Sequence, residues 1–159
     1  MNFFTFLMSA VELEMATASI YQRMSELFPN SSVGRHFKAL ADDETRNASA
    51  IRIRSRYDQE ITDSLIQISL KEGEIKKRIA DGVAFLPKLQ PDFSISDGLD
   101  KMLDFEKWIE RIHLAAYSQA KNSSFKQLFM TLIKSNRSHI QTLSKLKEAH
   151  ASAPSGGRG

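Results

Sequence analysis

Residues 106–117 read EKWIERIHLAAY, and within them Glu110 and Tyr117 stand seven residues apart. Residues 14–21, EMATASIY, repeat that spacing with Glu14 and Tyr21. Seven residues make two helical turns, so each glutamate shares one face of a helix with its tyrosine. The rest of that face is apolar. Further along each half a second stretch breaks its apolar rhythm with a polar pair three residues apart, Glu44 with Asn47 and Asn136 with His139. Four helices that aim carboxylates, amides and an imidazole at one interior have the layout of a helix-bundle metal site.

Working outward, apolar residues at i, i+3/i+4 and i+7 predict helix 1 over residues 3–28, with Leu7, Ala10, Val11, Glu14, Thr17, Ala18, Tyr21, Met24 and Phe28 inward. Pro29-Asn30-Ser31-Ser32 stops that helix and caps the next, and so short a link makes the two antiparallel neighbours. Helix 2, residues 33–57, buries Phe37, Leu40, Ala41, Glu44, Asn47, Ala48 and Ile51. Its end, IRIRSRY, alternates like a strand, but helical flanks and the lack of a pairing partner keep it helical. Residues 58–96 form a long crossover with a short helix over residues 70–80. A capping-box-like Ser69-x-x-Glu72 opens that helix, Asp81-Gly82 ends it, and Pro87 and Pro91 impose an extended run.

Helix 3, residues 97–121, is expected to bury Leu99, Met102, Leu103, Glu106, Ile109, Glu110, His113, Leu114 and Tyr117. After a second capping turn, Asn122-Ser123-Ser124, helix 4 covers residues 125–150 with Phe129, Leu132, Asn136, His139, Leu143 and Leu146 inward. One domain over residues 1–150 and a disordered tail over residues 151–159, ASAPSGGRG, complete the division. A connection as long as the crossover can carry the chain from one end of a bundle to the other. The expected fold class is therefore all-α: two αα-hairpins joined by one long crossover.

Composition narrows the function classes. With no cysteine the chain has no disulfide, thiolate nucleophile, iron–sulfur cluster or Cys-ligated metal. A net charge of +3 is mild. The basic runs Arg52, Arg54, Arg56 and Lys76, Lys77, Arg78 read as solvated helix faces, so no nucleic-acid partner is expected. The apolar opening FFTFLMSAV lacks a basic flank and meets Glu12 and Glu14 early, which points to a cytoplasmic protein without a membrane segment.

A carboxylate in a bundle core is costly unless paired, hydrogen-bonded or bound to metal. Glu14, Glu44 and Glu110 fall mid-helix on apolar stripes, and iron or manganese suits carboxylates with imidazole. Tyr21 and Tyr117 are placed to hydrogen-bond such carboxylates. A network in which Asn47 and Asn136 donate to the glutamates and His139 pairs with one of them would satisfy the same groups without metal.

On these residues the sequence resembles the rubrerythrin branch of the ferritin-like superfamily. Glu14-x6-Tyr21 resembles its first-helix motif, and LADDETRNA, residues 40–48, its helix-2 Leu-Ala-x-x-Glu-x-x-His-Ala. Glu110-x6-Tyr117 resembles helix 3, and Asn136-Arg-Ser-His139 the helix-4 Glu-x-x-His. The resemblance implies a ferritin-like four-helix bundle, an iron or manganese cofactor and ligands at Glu14, Glu44, Glu110 and His139. Asn47 stands where the family has histidine and Asn136 where it has a bridging glutamate. Glu110-Arg-Ile-His113 is itself a Glu-x-x-His, so His113 joins the candidate ligands. The implied activity is oxidoreduction toward peroxide or oxygen with electrons from an external protein, in a homodimer. The alternative is a metal-free bundle with a structural or partner-binding role.

Overall fold

The computed structural model describes residues 2–57 and 72–152. Five helices appear among them: α1 (Phe3–Leu27), α2 (Ser32–Tyr57), α3 (Glu72–Phe85), α4 (Ile95–Gln119) and α5 (Ser123–Ser152). Short polar side chains set their starts. Asn2 Oδ1 accepts from the Thr5 N–H at 2.7 Å, Ser31 Oγ from Gly34 at 2.9 Å, and Asn122 Oδ1 from Ser124 at 2.7 Å. The α1–α2 turn passes through Asn30 at φ 62°, a left-handed conformation that asparagine tolerates. Gly34 lets that turn close, because a Cβ there would collide with the Phe28 carbonyl oxygen.

Contacts across the bundle give the topology. Tyr21 meets Glu106 while the earlier Glu14 meets the later His113, so α1 and α4 run antiparallel. Glu44 meets His139 while the later Asn47 meets the earlier Ser135, so α2 and α5 are antiparallel too. With α1–α2 and α4–α5 as packed hairpins, the crossover must bring the chain back so that α4 runs in the same sense as α2.

The apolar core falls into two clusters. One holds Phe3, Phe6, Leu7, Ile51, Ile112, Phe125 and Phe129, and the other Tyr21, Met24, Phe37, Leu40, Met102, Phe105 and Leu143. On α1, α2, α4 and α5 alike, buried polar residues separate the two. Although α1 is long and apolar enough to cross a membrane, two-thirds of its most apolar window is buried inside the bundle.

Three expectations are corrected. First, α3 does not stop at Asp81-Gly82 but continues to Phe85. Gly82 is a packing glycine: a Cβ there would press on the Phe105 ring at 3.3 Å. Second, Pro87 lies in a single 3₁₀ turn, Leu86–Lys88, instead of an extended run. Third, α4 turns a different arc inward. Phe105, Ile112 and Ala116 are buried, Leu103 and Tyr117 only partly so, and Leu114 is 39% exposed. The cause is α3, which lays Gly82 against Phe105 and stacks Arg78 over the Phe105 and Trp108 rings at 5.6 and 5.4 Å. Ser69, Leu70 and residues 153–159 lie outside the described residues; Ala151 and Ser152 continue α5.

Candidate metal centre

Between the two apolar clusters lies a polar layer. Glu14, Glu44, Glu106, His113, Asn136 and His139 are essentially inaccessible there, and Asn47 is 9% exposed. At its centre His139 Nδ1 stands 2.9 Å from Glu44 Oε1 and 3.2 Å from Glu106 Oε1. Its other nitrogen, Nε2, faces Ser135 Oγ at 3.3 Å and Asp43 Oδ2 at 3.5 Å. Partners on that outer side hold the ring with Nδ1 turned to the carboxylates, which is how a ligating histidine is oriented. Glu106 is held on both oxygens: the Tyr21 hydroxyl donates to Oε1 at 2.7 Å and Asn136 Nδ2 to Oε2 at 2.9 Å. Asn47 Nδ2 reaches Glu44 Oε2 at 3.3 Å, Glu14 Oε2 at 3.4 Å and Ser135 Oγ at 3.2 Å.

Most of the sequence-designated residues meet in this layer: Glu14, Glu44, His113 and His139 with Tyr21, Asn47 and Asn136. Glu110 and Tyr117 do not. Glu110 lies at the bundle edge, where the exposed Arg137 guanidinium donates to it at 2.6 Å. Tyr117 packs half-buried against the cluster around Phe129. The carboxylate that α4 contributes is Glu106, one turn earlier. An available signal marks it. A single offset of 92 residues carries Glu14 to Glu106, Tyr21 to His113, Glu44 to Asn136 and Asn47 to His139. Glu106-x6-His113 is thus the true counterpart of Glu14-x6-Tyr21, and the structure crosses the pairs, Tyr21 onto Glu106 and His113 onto Glu14.

Burial and like charge distort the acidities. Burial pushes the Glu14 carboxyl well above the ordinary carboxylate range, and neighbouring Glu44 adds to the rise. Glu44 is raised likewise, by burial and then by Glu106. For Glu106 burial also pushes upward, but the hydrogen bond and charge of His139 outweigh it and the carboxyl is lowered. The Tyr21 phenol is raised by burial and then by Glu106 and Glu44. Without metal, then, Glu106 is the most acidic of the three, and Glu14 and Glu44 hold their protons to higher pH than an ordinary carboxylate does.

A prediction follows for the metal-free protein. Glu14 and Glu44 have raised folded pKa values, so their contribution is full below the unfolded carboxylate pKa and is lost as pH rises through the folded one. Glu106 has the opposite sign, and its contribution is lost only as pH falls through its lowered pKa, in the acid range. In chelator the melting temperature is expected to be higher at about pH 5 than at about pH 8, with Glu14→Gln reducing the difference. A flat profile across that window would contradict the protonation pattern.

The donor set is carboxylate oxygen and imidazole nitrogen, which suits a divalent transition ion. Ligand atoms on adjacent corners of such an ion, each bonded at about 2.1 Å, stand about 3 Å apart. The 2.9 and 3.2 Å separations around His139 Nδ1 match that edge length. Glu44, Glu106 and His139 offer ligand atoms all within 4.8 Å of one another.

The whole architecture superposes on the crystal structure of a Thermotoga maritima protein described as a candidate ferritin-like diiron-carboxylate protein. The TM-score is 0.74, covering 93% of this chain and 95% of that one. The fold is ferritin-like. Sequence identity over the match is 21%, so the ferritin-like likeness is one of architecture. No family model and no curated protein matches the sequence. In a ferritin-like bundle the buried layer described above is the interior onto which all four long helices face.

Proposed function

We propose that this chain holds a divalent transition ion, iron or manganese, between Glu44, Glu106 and His139. The observation that supports this most is the convergence of three fully buried ligand-type side chains from three helices. Glu44 and Glu106 would neutralise the ion, and His139 would present Nδ1 because Ser135 engages Nε2. The Tyr21 hydroxyl and the Asn136 amide hold the Glu106 carboxylate in place, leaving little reorganisation on loading. The similar protein's description as diiron-carboxylate supports iron in particular. Iron there would supply one-electron chemistry toward peroxide or oxygen, as the rubrerythrin resemblance implies. With no cysteine in the chain, its electrons would come from an external donor. A cytoplasmic homodimer completes this reading.

The test is elemental analysis of protein purified from iron- or manganese-supplemented medium, with about one ion or more per chain expected. Protein that retains no metal defeats the proposal. A second reading, a metal-free bundle kept for assembly or partner binding, has its own support. Asn47 and Asn136 between them donate to all three buried glutamates, as a metal-free core would require. The same measurement separates the two.

A further inference from the structure

Two buried polar atoms in the layer have no hydrogen-bond partner: Glu14 Oε1 and His113 Nε2. Both side chains are fully buried, so leaving them unsatisfied is costly. The atoms stand 3.2 Å apart, yet they are out of line for a hydrogen bond with each other. Two ligands of one cation show this arrangement, since their lone pairs converge on a point off the line joining them at about the 3 Å edge length.

Asn136 orients the imidazole of that pair. Its amide nitrogen faces Glu106 Oε2, an acceptor only, so its oxygen must face His113 Nδ1, at 2.8 Å. Nδ1 therefore carries a proton, and in the neutral ring it is Nε2 that offers its lone pair on the Glu14 side. The asparagine at a bridging-carboxylate position thus serves as the fixed partner that a metal-binding histidine requires. Phe129 backs the same ring, centroid to centroid at 6.1 Å. Glu44 stands between the two groups, with Oε1 toward His139 and Oε2 sharing the Asn47 amide with Glu14.

We propose a second cation position in this layer, with Glu14 Oε1 and His113 Nε2 as its protein ligands from α1 and α4. It rests on the reading above for its neighbour ion at Glu44, Glu106 and His139. The α2 position that carries Asn47 lacks an imidazole, and His113 supplies one from the opposite helix. The centre is thereby asymmetric, with three protein ligands at one position and two at the other, and the two-ligand position fills second.

The test is titration of the metal-stripped full chain with Co(II), followed by d–d absorption and by metal analysis after equilibrium dialysis. Wild type is expected to bind in two steps. His113→Gln and, separately, Glu14→Gln are each expected to weaken the second step at least about tenfold while leaving the first in place. Should one variant fail to fold by circular dichroism, the other carries the test. A single step in wild type, or two steps that both variants leave unchanged, overturns the second position alone. No binding at all overturns the parent reading with it.

Discussion

Glu106→Gln is expected to lower metal affinity by about 100-fold or more, whereas Glu110→Gln should change it by less than about threefold. Glu106 offers a ligand oxygen within the cluster of Glu44 and His139, and its side chain is fully buried. Glutamine keeps its shape and one acceptor for Tyr21, but it removes the charge that an ion would meet. Glu110 has a different partner, the guanidinium of Arg137, whose side chain is 62% exposed. An ion pair so exposed contributes at most about 1 kcal/mol, so its loss should hardly register in stability either. Competition titration against a calibrated chelator, on metal-stripped protein, measures both variants. If Glu110→Gln abolished binding while Glu106→Gln retained it, the ligand assignment on α4 would be refuted.

The largest effect on stability is expected from Phe129→Ala. Phe129 is fully buried, with ring centroids 6.4 Å from Phe3, 5.9 Å from Phe6 and 6.1 Å from His113. Removing a ring from such a site loses its transfer free energy and leaves a cavity, together about 3–5 kcal/mol. For a chain of this size that corresponds to roughly 10 °C or more in melting temperature. Phe4, its neighbour in sequence to Phe3 and 46% exposed, is the control, with an expected change of about 0.5 kcal/mol or less on substitution by alanine. Equilibrium urea unfolding of both variants gives the comparison. Equal, small losses would mean that the Phe3–Phe6–Phe129 cluster does not hold the α1–α5 end of the bundle together.

Much of this protein is legible in its local chemistry. Asn2, Ser31, Ser94 and Asn122 cap helix starts, each with its side-chain oxygen accepting a backbone N–H. The long intervals without proline allow the four bundle helices. The polar residues interrupting each apolar stripe foreshadow the buried layer, because a carboxylate flanked by core residues at helical spacing has nowhere else to point. Asp81-Gly82 was misleading for an equally physical reason. Glycine is read as a helix stop when only its backbone freedom is considered, yet Gly82 is required because the Phe105 ring occupies the space of its Cβ.

By itself, then, the sequence determined the helices, their pairing into two hairpins and the presence of acidic and imidazole groups inside. Helical periodicity left open which glutamate of α4 faces them; the 92-residue repeat points to Glu106, and tertiary packing put it there. Glu106 and Glu110 lie four residues apart, about one turn, and both fall within the same wide apolar arc, so periodicity leaves them equivalent. The tie was broken by α3 packing against Phe105 and by Arg137 waiting at the other edge, contacts between segments far apart in the chain that no local pattern encodes.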